Sequence, residues 1–361
     1  MLADGTVEAF RLQARFCPRF GSPLYGDLLA RAADDIEHGG PLADLLDGWH
    51  GRPTPDALSL RVMGAVHRLV LDGAAPELAA HYPSAGGVPQ GEATWRVFRN
   101  LVARRLDVLR PALDRQVQTN EVRRSAALLS GFLTVAARTG LPLRIREIGS
   151  SAGLNLFWDR YRYALPACAS ETPPDDDAPA QYFWGDVAAP VVIRSGWHGA
   201  ADVLSGTAAV ASRAGCDLSP IDVTDPRQAR TLESFVWADQ LPRLQQLRAA
   251  IAAARRDPPP LVRRPAAEWL ERELAAPAPG VATVVFHSIM WWYLSEAERE
   301  RVTALLSAAG ARATRQAPLA WLRFDLFGSP TAAEIRLTTW PGGVEKTLAT
   351  ADAHGRWVTW R

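Results

Sequence analysis

Apolar residues recur at helical spacing through the first part of the chain, from residue 6 to about 139. Val7 to Phe16 (V-E-A-F-R-L-Q-A-R-F) opens the series. Leu58 to Leu71, Thr94 to Leu113 and Glu121 to Thr139 continue it. Pro53, Pro55, Gly73, Pro83 and Gly86-Gly87 punctuate the joins, and Gly140 supplies a helix stop. No strand pattern precedes residue 140. The expectation is an α-helical N-terminal domain over 1–140.

The pattern then changes to short apolar runs alternating with helical stretches. Leu143–Ile148 reads as a strand. Aromatic and β-branched pieces at 161–163, 181–184 and 190–194 flank a Pro- and Asp-rich loop, E-T-P-P-D-D-D-A-P, and predict an inserted hairpin over about 161–200. Strands follow at Cys216–Ile221, Leu261–Arg263, Val281–His287 and Leu319–Leu326. Helices fall between them at Leu241–Arg255, Ala266–Leu274 and Leu294–Ala309. Val281–His287 is apolar on both faces, as a buried parallel strand requires. Glu334–Trp340 and Glu345–Thr350 form a closing hairpin across Pro-Gly-Gly. Alternating strands and helices predict an α/β domain over 141–361: a parallel sheet, helices on both faces, and an antiparallel edge.

Composition narrows the classes. The 40 basic and 39 acidic residues leave a net charge of +1, which gives no general grip on nucleic acid. The 3 cysteines have neither metal-ligand spacing nor a disulfide framework, and the 7 histidines form no H-x-x-x-H pair. No metal is expected. No apolar run reaches the roughly 18 residues of a membrane span. The first residues, M-L-A-D-G-T-V-E, lack a signal-peptide pattern, so a cytoplasmic protein is expected, with a small-molecule partner.

The candidate chemistry centres on Glu147 to Asn155, E-I-G-S-S-A-G-L-N, at a strand-to-helix turn. Gly149 and Gly153 allow a tight turn and close backbone approach, and a following helix would aim its N-terminal amides at a ligand. The alternative is a plain tight turn. Position 151 is serine where a dinucleotide fingerprint has glycine. Asp217 ends a strand; its carboxylate would accept from a ribose diol, or serve as a turn or cap residue. His287 ends the most apolar strand, where α/β sheets bind ligands, and would act as a base or be a satisfied core histidine. Ser288 adjoins it. Trp291, Trp292 and Tyr293 would wall a substrate pocket or pack the next helix; the 13 tryptophans provide such walls. A helix would put Asn155 and Asp159 on one face, for ligand or for surface pairing. Asn120 and Glu121, in Q-T-N-E, would reach over the site or cap a helix. The arginines at 104, 105, 110, 123 and 124 are read as solvated.

E-x-G-x-x-x-G-x-N resembles the first motif of class I S-adenosylmethionine-dependent methyltransferases. Gly215–Pro220 (G-C-D-L-S-P) resembles that family's second-strand motif, Val284–Ser288 falls where its fourth strand meets substrate, and the closing hairpin resembles its last two strands. The resemblance implies a Rossmann-like methyltransferase sheet with the N-terminal domain as cap or lid. It implies S-adenosylmethionine as cofactor, held by Glu147, Gly149, Ser150, Ser151, Gly153, Asn155, Asp217, Leu218 and Ala266. His287, Ser288 and Tyr293 would then be catalytic, with Asn120, Glu121, Asp159 and Trp291 binding a small-molecule substrate. Two features depart from the pattern. Glu147 and Asp217 are 70 residues apart (217 − 147), against about twenty in such folds. The acid expected beside an adenine is missing from Arg263-Arg264-Pro265-Ala266; the next is Glu268.

The whole chain also resembles a bacterial family known only as a domain of unknown function. The likeness rests on Q-T-N-E at 118–121, G-S-S-A-G-L-N-L-F-W-D-R-Y-R-Y at 149–163, D-L-S-P-I-D-V-T-D-P at 217–226 and F-H-S at 286–288. A rival uses the same loop. Gly149 to Gly153 is also G-x-S-x-G, the nucleophile elbow of α/β-hydrolases. Ser151 would attack, Asp325 and His354 would follow in order, and His38-Gly39-Gly40 would mimic an oxyanion motif. A non-catalytic nucleotide- or protein-binding domain is the third reading.

Overall fold

A computed structural model describes residues 2–175, 177–329 and 332–361. The chain gathers into two compact units. One holds the residues up to Thr119 together with Asp225–Arg248. The other holds Asn120–Thr224 and Ala249–Arg361.

The first unit is helical: α1 (Thr6–Arg19), α2 (Pro23–Glu37), α3 (Pro41–Leu46), α4 (Leu58–Leu71), α5 (Pro76–Ala79), α6 (Glu92–Arg104) and α7 (Leu106–Ala112). Local chemistry starts α2, where the Ser22 hydroxyl accepts from Tyr25 N–H (3.3 Å) and proline stands in the first turn. Leu28, Leu45, Val62, Phe98 and Leu109 form its core, and Trp237 joins them from the returning segment.

The second unit opens with α8 (Ser125–Thr139), stopped by Gly140 in the left-handed region at φ 65°. β1 (Leu143–Ile148) follows. β2 (Arg162–Leu165), β3 (Tyr182–Trp184) and β4 (Val192–Arg194) form a small sheet of their own. The insertion is therefore more than a hairpin: β3 pairs antiparallel to β2, and β4 pairs parallel on its other side. Then come β5 (Gly196–His198), β6 (Val210–Asp217), α9 (Pro226–Ser234), α10 (Leu241–Ala254), β7 (Leu261–Arg263), α11 (Ala266–Glu273), β8 (Ala282–Ser288) and α12 (Glu296–Ala311). β9 (Leu319–Asp325), β10 (Ala333–Trp340), β11 (Val344–Ala351) and β12 (Trp357–Trp360) close the chain. The helix α9 and residues 241–248 of α10 belong to the first unit.

Among the described residues the main sheet has nine strands, in the order β5-β12-β11-β10-β9-β8-β1-β6-β7. From β7 to β9 every pairing is parallel, and the order reverses at β1. β10, β11 and β12 continue as an antiparallel meander, and β5 pairs parallel to β12 at the edge. The α/β expectation holds at this level: a large mixed sheet flanked by helices. Alternation along β8 assigns the two faces. Phe286 meets Phe132 of α8 edge-on at 5.1 Å. Val285, with Ile148, packs on the opposite face against Ala267 and Leu270 of α11 and Val302 and Leu306 of α12.

The element after the glycine loop differs too. The glycine loop is followed by a 3-10 segment, Leu154–Arg160, with Phe157 outside helical geometry, where an α-helix was expected. Side chains take the carbonyls that α-helical bonds would use. Tyr161 hydroxyl donates to Leu154 O (2.6 Å), Tyr163 hydroxyl to Trp158 O (2.8 Å), and Arg213 to Leu156 O (2.6 Å). Trp158 is then pinned between Phe132 (4.4 Å) and Trp184 (5.5 Å).

Candidate functional site

The site forms at the carboxyl end of β1, where the strand order reverses. Open α/β sheets bind ligands at such points. Gly149 (φ 66°), Ser151 (φ 51°) and Gly153 (φ 68°) all adopt the left-handed region, so the chain turns sharply three times within five residues. A Cβ on Gly149 would stand 2.8 Å from Met290 Cε, and one on Gly153 2.9 Å from Leu261 Cδ2. Both glycines thus permit close approach by other parts of the chain.

Asp217, at the end of β6, clamps this loop. Its Oδ2 accepts from Ser151 N–H and its Oδ1 from Ser219 N–H, each at 2.8 Å. Ser150 is fully buried, with its amide (3.0 Å) and hydroxyl (3.1 Å) on Cys216 O. Each Asp217 oxygen keeps acceptor capacity after one bond. The strand ends at Asp217, so the Leu218–Ile221 part of the expected strand is loop, and Leu218 is 56% exposed.

A polar cluster lies on the α8 face. Asn120 Oδ1 accepts from Leu154 N–H (2.8 Å), and Asn155 Nδ2 donates to Glu121 O (3.4 Å). Glu147 shares this face, because it pairs in register with Phe286. It is 1% exposed, and its Oε2 has no hydrogen-bond partner among the described residues; neither has Asn155 Oδ1. Burial, reinforced by the Asp217 charge and only partly opposed by Arg124, pushes the Glu147 carboxyl well above the usual carboxylate range. Arg124, expected in solvent, is buried instead, and bonds Ala353 O (2.9 Å) and Ser288 O (3.2 Å).

The second cluster lies on the α11–α12 face. His287 is fully buried, its ring stacked on Trp291 at 5.2 Å and 14°. Its Nδ1 stands 3.6 Å from Asp325 Oδ2, at the end of β9. That oxygen also accepts from Met290 N–H (3.2 Å) and Trp291 N–H (3.0 Å). Burial raises the Asp325 carboxyl, but His287 and the amides of Trp291 and Leu326 outweigh it and hold the pKa below the ordinary value.

The remaining candidates are dispersed. Asp159 makes a two-pronged ion pair with Arg213 (2.8 and 3.0 Å), a partner that carried no pattern in the sequence. Tyr293 is 50% exposed, its ring 3.9 Å from that of Trp292. Ala266 opens α11 and is buried, while the neighbouring Ala267 N–H goes to Glu298 Oε1 (2.9 Å). His38 lies in the helical unit as the cap of α2, and Gly40 N–H there is taken by Asp35 O (2.8 Å). A cleft of about 760 Å³ in that unit, lined by Trp49, Asp56, Arg61, Asp107 and Arg110 among others, contains none of the candidates. Among the described residues no group of three or more His, Cys, Asp or Glu is placed to hold a metal, and no helix is long and apolar enough to cross a membrane.

Fold and site together define a mixed α/β protein with polar clusters at the carboxyl ends of its central strands. The chain belongs to the family described as "Uncharacterized protein conserved in bacteria (DUF2332)", whose model matches residues 7–360. No curated protein and no solved structure matches it significantly.

Proposed function

We propose that the chain is a methyltransferase with a Rossmann-like sheet that uses S-adenosylmethionine on a small molecule. One observation carries the reading: two buried acceptors, Glu147 Oε2 and Asn155 Oδ1, lack partners beside the glycine loop at the strand-order reversal. Unpaired buried polar atoms cost about 1–3 kcal/mol each, so they call for a donor from outside the chain. The cofactor's amino group is such a donor, and its charge would favour ionised Glu147. Asp217 retains acceptor capacity for ribose hydroxyls after bonding Ser151 and Ser219. When bound, the cofactor supplies a methyl group on a sulfonium leaving group. The protein's share is then to orient the acceptor and exclude water, and, for a protonated acceptor, to take its proton at His287.

Isothermal titration calorimetry with S-adenosylmethionine and S-adenosylhomocysteine tests the reading. Absence of heat with both would sink it. The hydrolase reading has one observation in its favour, the left-handed Ser151 at a G-x-S-x-G turn. Against it, the expected acid Asp325 is turned to His287. Covalent labelling of Ser151 by a fluorophosphonate would reverse the preference.

A further inference from the structure

The carboxyl ends of β8 and β9 hold a histidine and a carboxylate in an arrangement that core packing does not require. His287 is fully buried, and neither ring nitrogen has a hydrogen-bond partner among the described residues. A core histidine of no consequence is normally bonded at one nitrogen at least. His67 in the helical unit is an example, with Nδ1 3.1 Å from Ser234 O and Nε2 2.8 Å from Ser84 Oγ. His287 instead has Asp325 Oδ2 at 3.6 Å from Nδ1, just beyond hydrogen-bond range. Such contacts commonly tighten only when a ligand binds.

Three constraints fix that carboxylate. Met290 N–H and Trp291 N–H bond its Oδ2, and Leu326 N–H (2.9 Å) bonds its Oδ1. The stacked Trp291 holds the plane of the imidazole, whose Nδ1 edge faces Asp325. Other charged groups nearby are already engaged. From β9, Arg323, the register partner of His287, reaches Thr338 and Glu345. From α12, Arg299 bonds the carbonyls of Trp291 (3.0 Å) and Trp292 (3.3 Å), while Glu298 accepts from Ala267. From α8's side, Arg124 bonds Ser288 O. Asp325 is the acid facing the ring.

We infer that Asp325 is a positioning residue for His287: it holds the proton on Nδ1 and leaves the Nε2 lone pair to accept a proton from the substrate. This rests on the methyl-transfer reading for its purpose, though not for its geometry. The proton moves from the acceptor's heteroatom to Nε2, and the imidazolium so formed is stabilised by the Asp325 carboxylate at Nδ1. The substrate class follows: an acceptor that carries a proton at neutral pH, such as a hydroxyl, thiol or ammonium group.

The test is long-range 1H–15N NMR on the full chain labelled at histidine, with His287→Gln to assign the signal. At pH 7.5 the wild type should show His287 protonated on Nδ1. In Asp325→Asn that preference should be lost. Asn keeps an oxygen for the two loop amides, and the wild-type tautomer is read without any substitution. A wild-type His287 protonated on Nε2, or an Nδ1 preference unchanged in Asp325→Asn, overturns the inference. Calorimetry separates the two layers: wild type that binds no S-adenosylmethionine removes the methyl-transfer reading, whatever the tautomer.

Discussion

Replacing Glu147 by Gln should make the protein more stable and, on the proposed reading, worse at binding its cofactor. The wild-type side chain is buried, its Oε2 has no partner, and the Asp217 charge adds to the cost of ionising it. Its native pKa lies above the unfolded value, so the unfolded chain gives up this proton first as pH rises. Folding then loses about 1.4 kcal/mol for each pH unit in which the unfolded acid has ionised and the native acid has not. The loss starts above the unfolded value of about 4.3 and ends at the native pKa. Gln does not titrate, so the variant should lack this loss. Urea unfolding at pH 5 and pH 7 measures it: the stability difference between variant and wild type should grow in the variant's favour by about 1 kcal/mol or more. The same change removes a charged acceptor, worth about 1.5–3 kcal/mol, or roughly ten- to hundredfold in affinity for an ammonium group. Equal pH dependence in the two proteins would refute the reasoning about burial. Unchanged cofactor affinity would refute the assigned role.

Burial holds His67 neutral, with its pKa pushed down to about 4. The unfolded histidine binds a proton near pH 6.5, so this group should cost about 3 kcal/mol of stability as pH falls from 6.5 to 4. Urea midpoints should show the fall, and His67→Gln should flatten it. Asp159→Asn should cost about 3 kcal/mol, because it strands the largely buried Arg213 that also holds the Leu156 carbonyl; an unchanged urea midpoint would mean the pair is surface decoration. Gly149→Ala should cost about 2 kcal/mol from its positive φ, with more from the Met290 contact. Combining it with Met290→Ala should recover the contact part in a double-mutant cycle, and strict additivity would contradict the packing.

Much of the fold was legible because its signals are local. The helical periodicity ahead of Gly140, the apolar runs of β1 and β8, and the closing hairpin each depend on residues close in sequence. What escaped depends on distant partners. The 3-10 segment after the loop exists because Tyr161, Tyr163 and Arg213 capture three carbonyls, and Arg213 lies on β6. The Arg123-Arg124 pair looks like a solvated face, yet Arg124 is drawn inward by carbonyls more than 160 residues away in the chain. Residues 225–248 read as part of the sheet domain but gather with the N-terminal helices, and α8 gathers with the sheet. The His287–Asp325 approach spans two strands whose adjacency only the sheet order reveals. Glu147, Asp217 and His287 were visible one by one, at predicted strand ends; that Glu147 would be buried without a partner was not.

The two clusters lie on opposite faces of the sheet, and this constrains any shared reaction. Glu147 and Asn155 sit on the α8 side, and His287 sits with Trp291 and Trp321 on the α11–α12 side. A ligand held by the first could meet the second only over the carboxyl edge of β1 and β8. Two loops occupy that edge, and Met290 packs so near Gly149 that a Cβ there would stand 2.8 Å from its Cε. The same Met290 is fastened by its amide to Asp325, the acid beside His287, and follows Ile289, which holds a left-handed φ of 50°. A β-branched residue adopts that conformation only where surroundings impose it, at about 1–3 kcal/mol. On the methyl-transfer reading, Met290, beside Gly149 and bonded by its amide to Asp325, would lie between cofactor and acceptor. If the two clusters serve one reaction, shortening this side chain should alter binding of both ligands. If they serve separate purposes, Met290→Ala should change one binding constant and leave the other as it was.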